Sequence, residues 1–103
     1  MLPFASYKID VVKAVFEKHG IHVLEEFADG QIRWGNEPLE SPYRGSSHMA
    51  DFYKPGRYDI FTIRAIANKL DKAGHLPQME DELAIALVTE EYDVQGPSEE
   101  PKQ

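Results

Sequence analysis

The sequence predicts a small α+β domain: an N-terminal helix packed on a β-hairpin, a long aromatic-rich loop, then two antiparallel helices. Three observations predict it. Apolar residues recur at helical spacing in three separate stretches. Asp29-Gly30, a strong tight-turn dipeptide, sits between two runs of alternating polarity. Pro38, Pro42, Gly45, Ser46, Ser47, Pro55 and Gly56 break any period over residues 36–58. A chain of 103 residues fits one domain. Residues 1–94 are assigned to it, and the Pro- and Glu-rich residues 95–103 to a disordered acidic tail.

The first helix is expected to start at Ser6 as N-cap, with Asp10 near its positive end and Lys18 and His19 in its last turn. Ile9, Val12, Phe16 and His19 form its apolar stripe, and Gly20 is its stop. A two-residue turn at Asp29-Gly30 would set Phe27 opposite Ile32, Glu26 opposite Arg33 and Glu25 opposite Trp34. Ile21, Val23, Phe27, Ile32 and Trp34 would then share the face that the helix covers.

Residues 36–58 read as irregular, and a structureless run of this length is uncommon unless it is functional or disordered. Its aromatics favour order, and some of it is expected to add strand pairing to the sheet. Gly45-Ser46-Ser47-His48-Met49 also resembles the junction left by expression-tag cloning. The second helix follows Asp59 as N-cap, with Ile63, Ile66, Ala67 and Leu70 on one face and Gly74 as its stop. The third runs from about Gln78 to Tyr92, with Glu80, Asp81 and Glu82 in its first turn. Its apolar residues fall on more than one side, which marks a central core helix or half of an interface. A strand at Ile85–Val88 is the competing assignment for part of it.

The net charge of −7 is unevenly placed. Residues 31–75 hold seven Lys/Arg against five Asp/Glu, whereas residues 76–103 hold eight Asp/Glu against one Lys. Such a chain is repelled by nucleic acid at long range and attracted to basic proteins. It has no cysteine, which removes disulfides, thiolate metal sites and a thiol nucleophile. The first residues lack the basic start and apolar run of a signal peptide, and no stretch is long and apolar enough to span a membrane. The expected location is cytoplasmic.

Residues 43–61 concentrate five aromatics among Arg44, Lys54 and Arg57. Tyr and Arg are what protein-binding hot spots use, and aromatics among cations also suit stacking on bases and contact with phosphates. The structural alternative is that Phe52, Tyr53 and Phe61 plug the loop into the core. Helix-turn-helix reading of DNA is disfavoured, because the would-be recognition helix carries Glu80, Asp81, Glu82, Glu90 and Glu91 and no cation. The same carboxylates could mimic a nucleic-acid backbone, or form a solvated face. His19 and His22 have the spacing of a helical ligand pair, but Gly20 separates them, so no metal or other cofactor is expected. Ser46, Ser47 and His48 are sequence neighbours and do not converge as a nucleophile and its base must. No catalytic or nucleotide-binding motif is present.

The expected function is therefore binding without catalysis. The chain reads as a small acidic accessory or inhibitor protein, of the size and charge of immunity or phage-encoded inhibitors, acting on a larger, basic or nucleic-acid-handling protein. Expected contact residues are Tyr43, Arg44, Tyr53, Lys54, Arg57 and Tyr58, then Glu80, Asp81, Glu82, Glu90 and Glu91. The alternatives are a nucleic-acid or nucleotide binder using the 43–61 loop, and a structural homodimer through helix 78–92.

Overall fold

The computed structural model describes residues 5–52 and 55–95, the last five as backbone alone. The order is β1 (Ser6–Lys8), α1 (Ile9–Lys18), β2 (His22–Glu26), β3 (Ile32–Gly35), β4 (Ser47–Ala50), β5 (Arg57–Asp59), α2 (Ile60–Leu70) and α3 (Leu76–Gln95). Strands β2, β3 and β4 form an antiparallel sheet in that order, and β1 pairs antiparallel with β5. The mixed α+β class and a first helix followed by a hairpin match the expectation. Helix α1 packs on β2, α2 packs on β4, and α3 packs on α1 and α2.

Ser6 is not a helix cap. It pairs with Asp59 across β1–β5, and its hydroxyl accepts from Arg57 Nε at 3.0 Å. The helix starts at Ile9, behind Lys8, with no side-chain cap. The Ile9 N–H, which a cap could have served, donates to the Gly56 carbonyl at 2.9 Å. At the other end the expected stop holds. Gly20 N–H donates to Glu17 O and Ile21 N–H to Phe16 O, the paired bonds of a glycine-terminated helix.

The hairpin turns where expected, with a loop one residue longer. Phe27 N–H donates to Gln31 O at 2.9 Å and Gly30 N–H to Phe27 O at 3.0 Å, so Ala28, Asp29 and Gly30 form the loop. Gly30 has φ +95°, and a Cβ there would lie 2.7 Å from the Phe52 ring, so only glycine fits. The extra residue shifts the register by one. Glu25, not Glu26, faces Arg33, with an ion pair of 2.8 Å. Glu26 faces Ile32 and is held by Lys13 of α1 at 3.0 Å. A bulge at Leu24 shifts it by one more, so that Val23, where Glu25 is expected, stands opposite Trp34. Phe27 leaves the apolar face and meets Arg33, whose guanidinium lies 5.7 Å from its ring centroid.

The stretch expected to be irregular contributes β4 and β5. Ser47–Met49 of the tag-like segment, with Ala50, is a strand integral to the sheet, paired to β3 from Ile32↔Ala50 to Gly35↔Ser47. Helix α2 matches its sequence reading: Asp59 Oδ1 accepts from Thr62 N–H at 2.8 Å, and Ile63, Ile66, Ala67 and Leu70 are buried. It ends at Leu70, before Gly74. Helix α3 starts two residues earlier than expected and continues to Gln95, which excludes a strand at Ile85–Val88. The tail beyond residue 95 lies outside the described residues.

The core is aromatic at its centre. Phe16 meets Trp34 edge-on at 5.2 Å between centroids, Trp34 lies 6.1 Å from Tyr58, and Tyr58 lies 5.9 Å from Phe52. Phe16, Trp34 and Tyr58 are fully buried. The Trp34 Nε1–H donates to the Tyr58 hydroxyl at 2.9 Å, which satisfies a donor that burial would otherwise leave costly. Burial pushes the Tyr58 phenol up to about 12.

Candidate functional site

The residues from Asn36 to Ser46 leave the sheet between β3 and β4 and cover part of the hairpin. Both ends are fixed by the buried Asn36: its N–H donates to Ser46 O at 3.2 Å, and its Oδ1 accepts from Ser46 N–H at 2.9 Å. Inside the loop, Ser41 N–H donates to Pro38 O, Ser41 Oγ donates to Glu37, and Tyr43 N–H donates to Ser41 Oγ. Glu37 also takes Lys72 Nζ at 2.7 Å, which ties the loop to the turn after α2. The Lys72 bond, then that of Ser41, holds the Glu37 carboxyl below the usual range.

Between this loop and the hairpin lies an open cleft of about 370 Å³, lined by Leu24, Arg33, Pro38, Leu39, Tyr43 and Arg44 among others. Leu39 and Tyr43 are 72% and 74% exposed, a degree no packing role requires. Arg33 is paired with Glu25, whereas Arg44 has no hydrogen-bond or ion-pair partner among the described residues. The loop thus offers a leucine, a tyrosine and an unpaired guanidinium on a frame ordered in advance, which lowers the entropy cost of docking.

Gly45 is what lets the frame close. A Cβ there would lie 2.3 Å from Asn36 Oδ1 and 2.8 Å from Glu37 Cγ. Gly45→Ala is expected to cost about 1–2 kcal/mol in urea unfolding. It is also expected to speed proteolytic nicking within residues 37–46, since it displaces the side chains that pin the loop.

The other expected contact residues are distributed differently. Tyr53 and Lys54 lie outside the described residues. Tyr58 is fully buried and so belongs to the core rather than to a contact surface, because its strand turns it onto Trp34. Arg57 donates to Ser6 and Glu90 and is held inside the structure. Glu80 takes both ends of Arg64, at 2.8 and 3.2 Å. Glu82 takes Lys18 and His19 at 3.1 Å each, and Glu90 takes Arg57 at 3.0 Å. Three of the five carboxylates therefore hold α3 to its neighbours, Asp81 stays exposed, and the side chain of Glu91 lies outside the described residues. A rigid array of free carboxylates, as backbone mimicry needs, is not formed by Glu80–Glu82.

These pairs give the stability an acid limb. Hydrogen bonds from Arg64 to Glu80, from Lys18 to Glu82 and from Lys72 to Glu37 hold all three carboxyls below their ordinary 4.5. A carboxyl lowered in the folded state stabilises fully above its unfolded value and loses that contribution as pH falls through its folded value. Unfolding midpoints are expected to be level above pH ~5 and to fall progressively below ~4.5. Glu80→Gln should flatten the decline.

The sequence did not reveal that His19 and His75 meet. Their Nδ1 atoms are 3.1 Å apart with the rings edge-on, and His19 Nε2 lies 3.1 Å from Glu82 Oε1. Glu82 accepts from His19 Nε2–H, and one of the two Nδ1 atoms donates to the other, since two Nδ1 protons cannot face each other at this distance. His22 bonds Glu17 instead, and His48 stands opposite Trp34 in β4. Among the described residues no group of three or more His, Cys, Asp or Glu side chains is arranged to hold a metal ion, and no helix is long and apolar enough to cross a membrane. Comparison of the chain with protein-family models, curated proteins and solved structures finds no match.

Proposed function

We propose that this protein is a small cytoplasmic accessory or inhibitor protein that docks on a larger, basic or nucleic-acid-handling protein and catalyses nothing itself. The observation that carries this is the loop over residues 36–46: Leu39, Tyr43 and the unpaired Arg44 stand exposed on a frame pinned at both ends. Tyrosine and arginine, pre-positioned beside a cleft, are the side chains that hot spots for protein partners use. The net charge of −7 favours encounter with a basic surface.

The test compares wild type with a Tyr43→Ala/Arg44→Ala variant as bait in lysate of the source cell, with and without nuclease and at two salt concentrations. One stoichiometric, nuclease-resistant partner is expected with wild type. Its affinity should drop more than about tenfold with the variant, whose circular dichroism stays unchanged. Recovery that vanishes with nuclease and falls steeply with salt would replace this proposal with nucleic-acid binding. A partner indifferent to the variant would remove the loop from the interface.

A further inference from the structure

The outer face of α3 carries an apolar strip that no described residue covers. Ile85 and Val88 are 67% and 65% exposed, on the side opposite the buried Met79 and Leu83. With Ala84 and Thr89 they line a shallow groove of about 280 Å³. The one hydroxyl there is already satisfied, since Thr89 Oγ1 donates back to Ile85 O at 2.9 Å. The groove therefore asks for no hydrogen bond and presents only hydrocarbon. One turn before Ile85 on the same side stands the exposed Asp81, which has no partner among the described residues. The sequence adds Glu90, Glu91 and Asp93 beyond Val88, and the helix holds no Lys or Arg from Leu76 to Gln95.

Charge decides what fits this strip. A second copy would bring a second unpaired Asp81 to the strip and no Lys or Arg of α3 to pair with either, on two chains of net charge −7 each. An uncharged apolar segment would leave Asp81 facing hydrocarbon. We infer that the Ile85–Val88 strip receives an amphipathic helix whose apolar stripe is flanked by lysines or arginines. Its stripe covers Ile85 and Val88 and its cations reach Asp81. This rests on the proposed reading of a basic partner and names the element by which that partner is recognised, on a surface separate from the Tyr43–Arg44 loop.

The test uses two synthetic helical peptides with one leucine stripe, the first with lysines at its polar positions and the second with glutamates. Each is titrated into the full chain by calorimetry at low and at moderate salt, with amide shifts followed by NMR. The lysine peptide is expected to bind and to shift amides around residues 84–89, and the glutamate peptide to bind at least about tenfold more weakly. Ile85→Ser/Val88→Ser should cut lysine-peptide affinity at least about tenfold. Both positions are solvent-exposed and serine matches isoleucine in helix propensity, so the variant keeps its fold. Tyr43→Ala/Arg44→Ala should leave peptide affinity unchanged, so failure of the loop proposal and failure of this one read out separately. Equal affinity for wild type and the serine variant, shifts that map elsewhere, or no binding at millimolar peptide would overturn the inference. Concentration-dependent dimerisation abolished by the serine variant would also overturn it, by making a second copy the occupant.

Discussion

Trp34→Ala is expected to lower the unfolding free energy by about 3–5 kcal/mol. A chain of 103 residues has a total of roughly 5–10 kcal/mol to draw on, so most of the margin goes. Trp34 is fully buried, and three elements meet on it: Phe16 from α1 on one edge, Tyr58 from β5 on another, and Val23 of β2 opposite. Alanine would leave a cavity shared by these elements, which cannot all collapse into it without breaking the β2–β3 register. Denaturant unfolding followed by circular dichroism measures the loss. Tyr58→Phe gives a graded companion. It keeps the ring and deletes only the oxygen that accepts from Trp34 Nε1–H, so it should cost about 1–3 kcal/mol for the buried donor left unpaired. In that variant Trp34, the only tryptophan, reports unfolding by its fluorescence. A Trp34→Ala loss under about 0.5 kcal/mol is what a surface site gives and would contradict the placement of this core.

The centre of that core was half legible. The Asp29-Gly30 turn and strand alternation place Trp34 on the apolar face, and the stripe and Asp59 mark α2, because in both cases the signal is local. Tyr58 reads as a contact residue in the sequence because Arg57 precedes it and Lys54 is close by, and an aromatic among cations resembles a hot spot. The alternation Arg57-Tyr58-Asp59 could have marked a short strand with the tyrosine inward, but three residues carry too little period to outweigh the neighbouring Pro55 and Gly56. β1 and β5 stabilise each other across about fifty residues, and β4 is recruited from a Gly- and Ser-rich run by β3. Such pairings are set by tertiary context, which local propensity does not encode.

The candidate site divides along the same line. Residue type alone proposes Tyr43 and Arg44 as contact residues, and the structure leaves Tyr43 exposed and Arg44 without a partner among the described residues. Residue type does not propose their cleft, since Leu24, Arg33 and Pro38 come together only once the loop folds over the hairpin. The roles of the α3 carboxylates were also hidden. Each partner is far along the chain: Arg64 for Glu80, Lys18 for Glu82, Arg57 for Glu90. A run of acidic residues that looked like free charge is largely a set of ties between elements.

Arg57 puts that last point to the strongest test. Its guanidinium donates to Ser6 Oγ at 3.0 Å, to Ser6 O at 2.8 Å, and to both Glu90 oxygens at 3.0 and 3.3 Å. One side chain thus joins β1, β5 and α3, with only a fifth of its surface exposed. Arg57→Ala removes the donors and leaves a carboxylate and a backbone carbonyl partly shielded from water without partners. The expected cost is about 2–3 kcal/mol, well above that of an exposed pair. Arg57→Lys should recover little of it, because an ammonium cannot span Ser6 and Glu90 together. Glu90→Gln should cost less than Arg57→Ala, and the two losses should add to more than the double variant shows, since they remove one shared interaction. Partner binding should survive Arg57→Ala at temperatures where the variant stays folded. If binding fell there while the melting point held, Arg57 would be a contact residue after all, and the division drawn between the ties of α3 and the exposed loop at Tyr43–Arg44 would have to move.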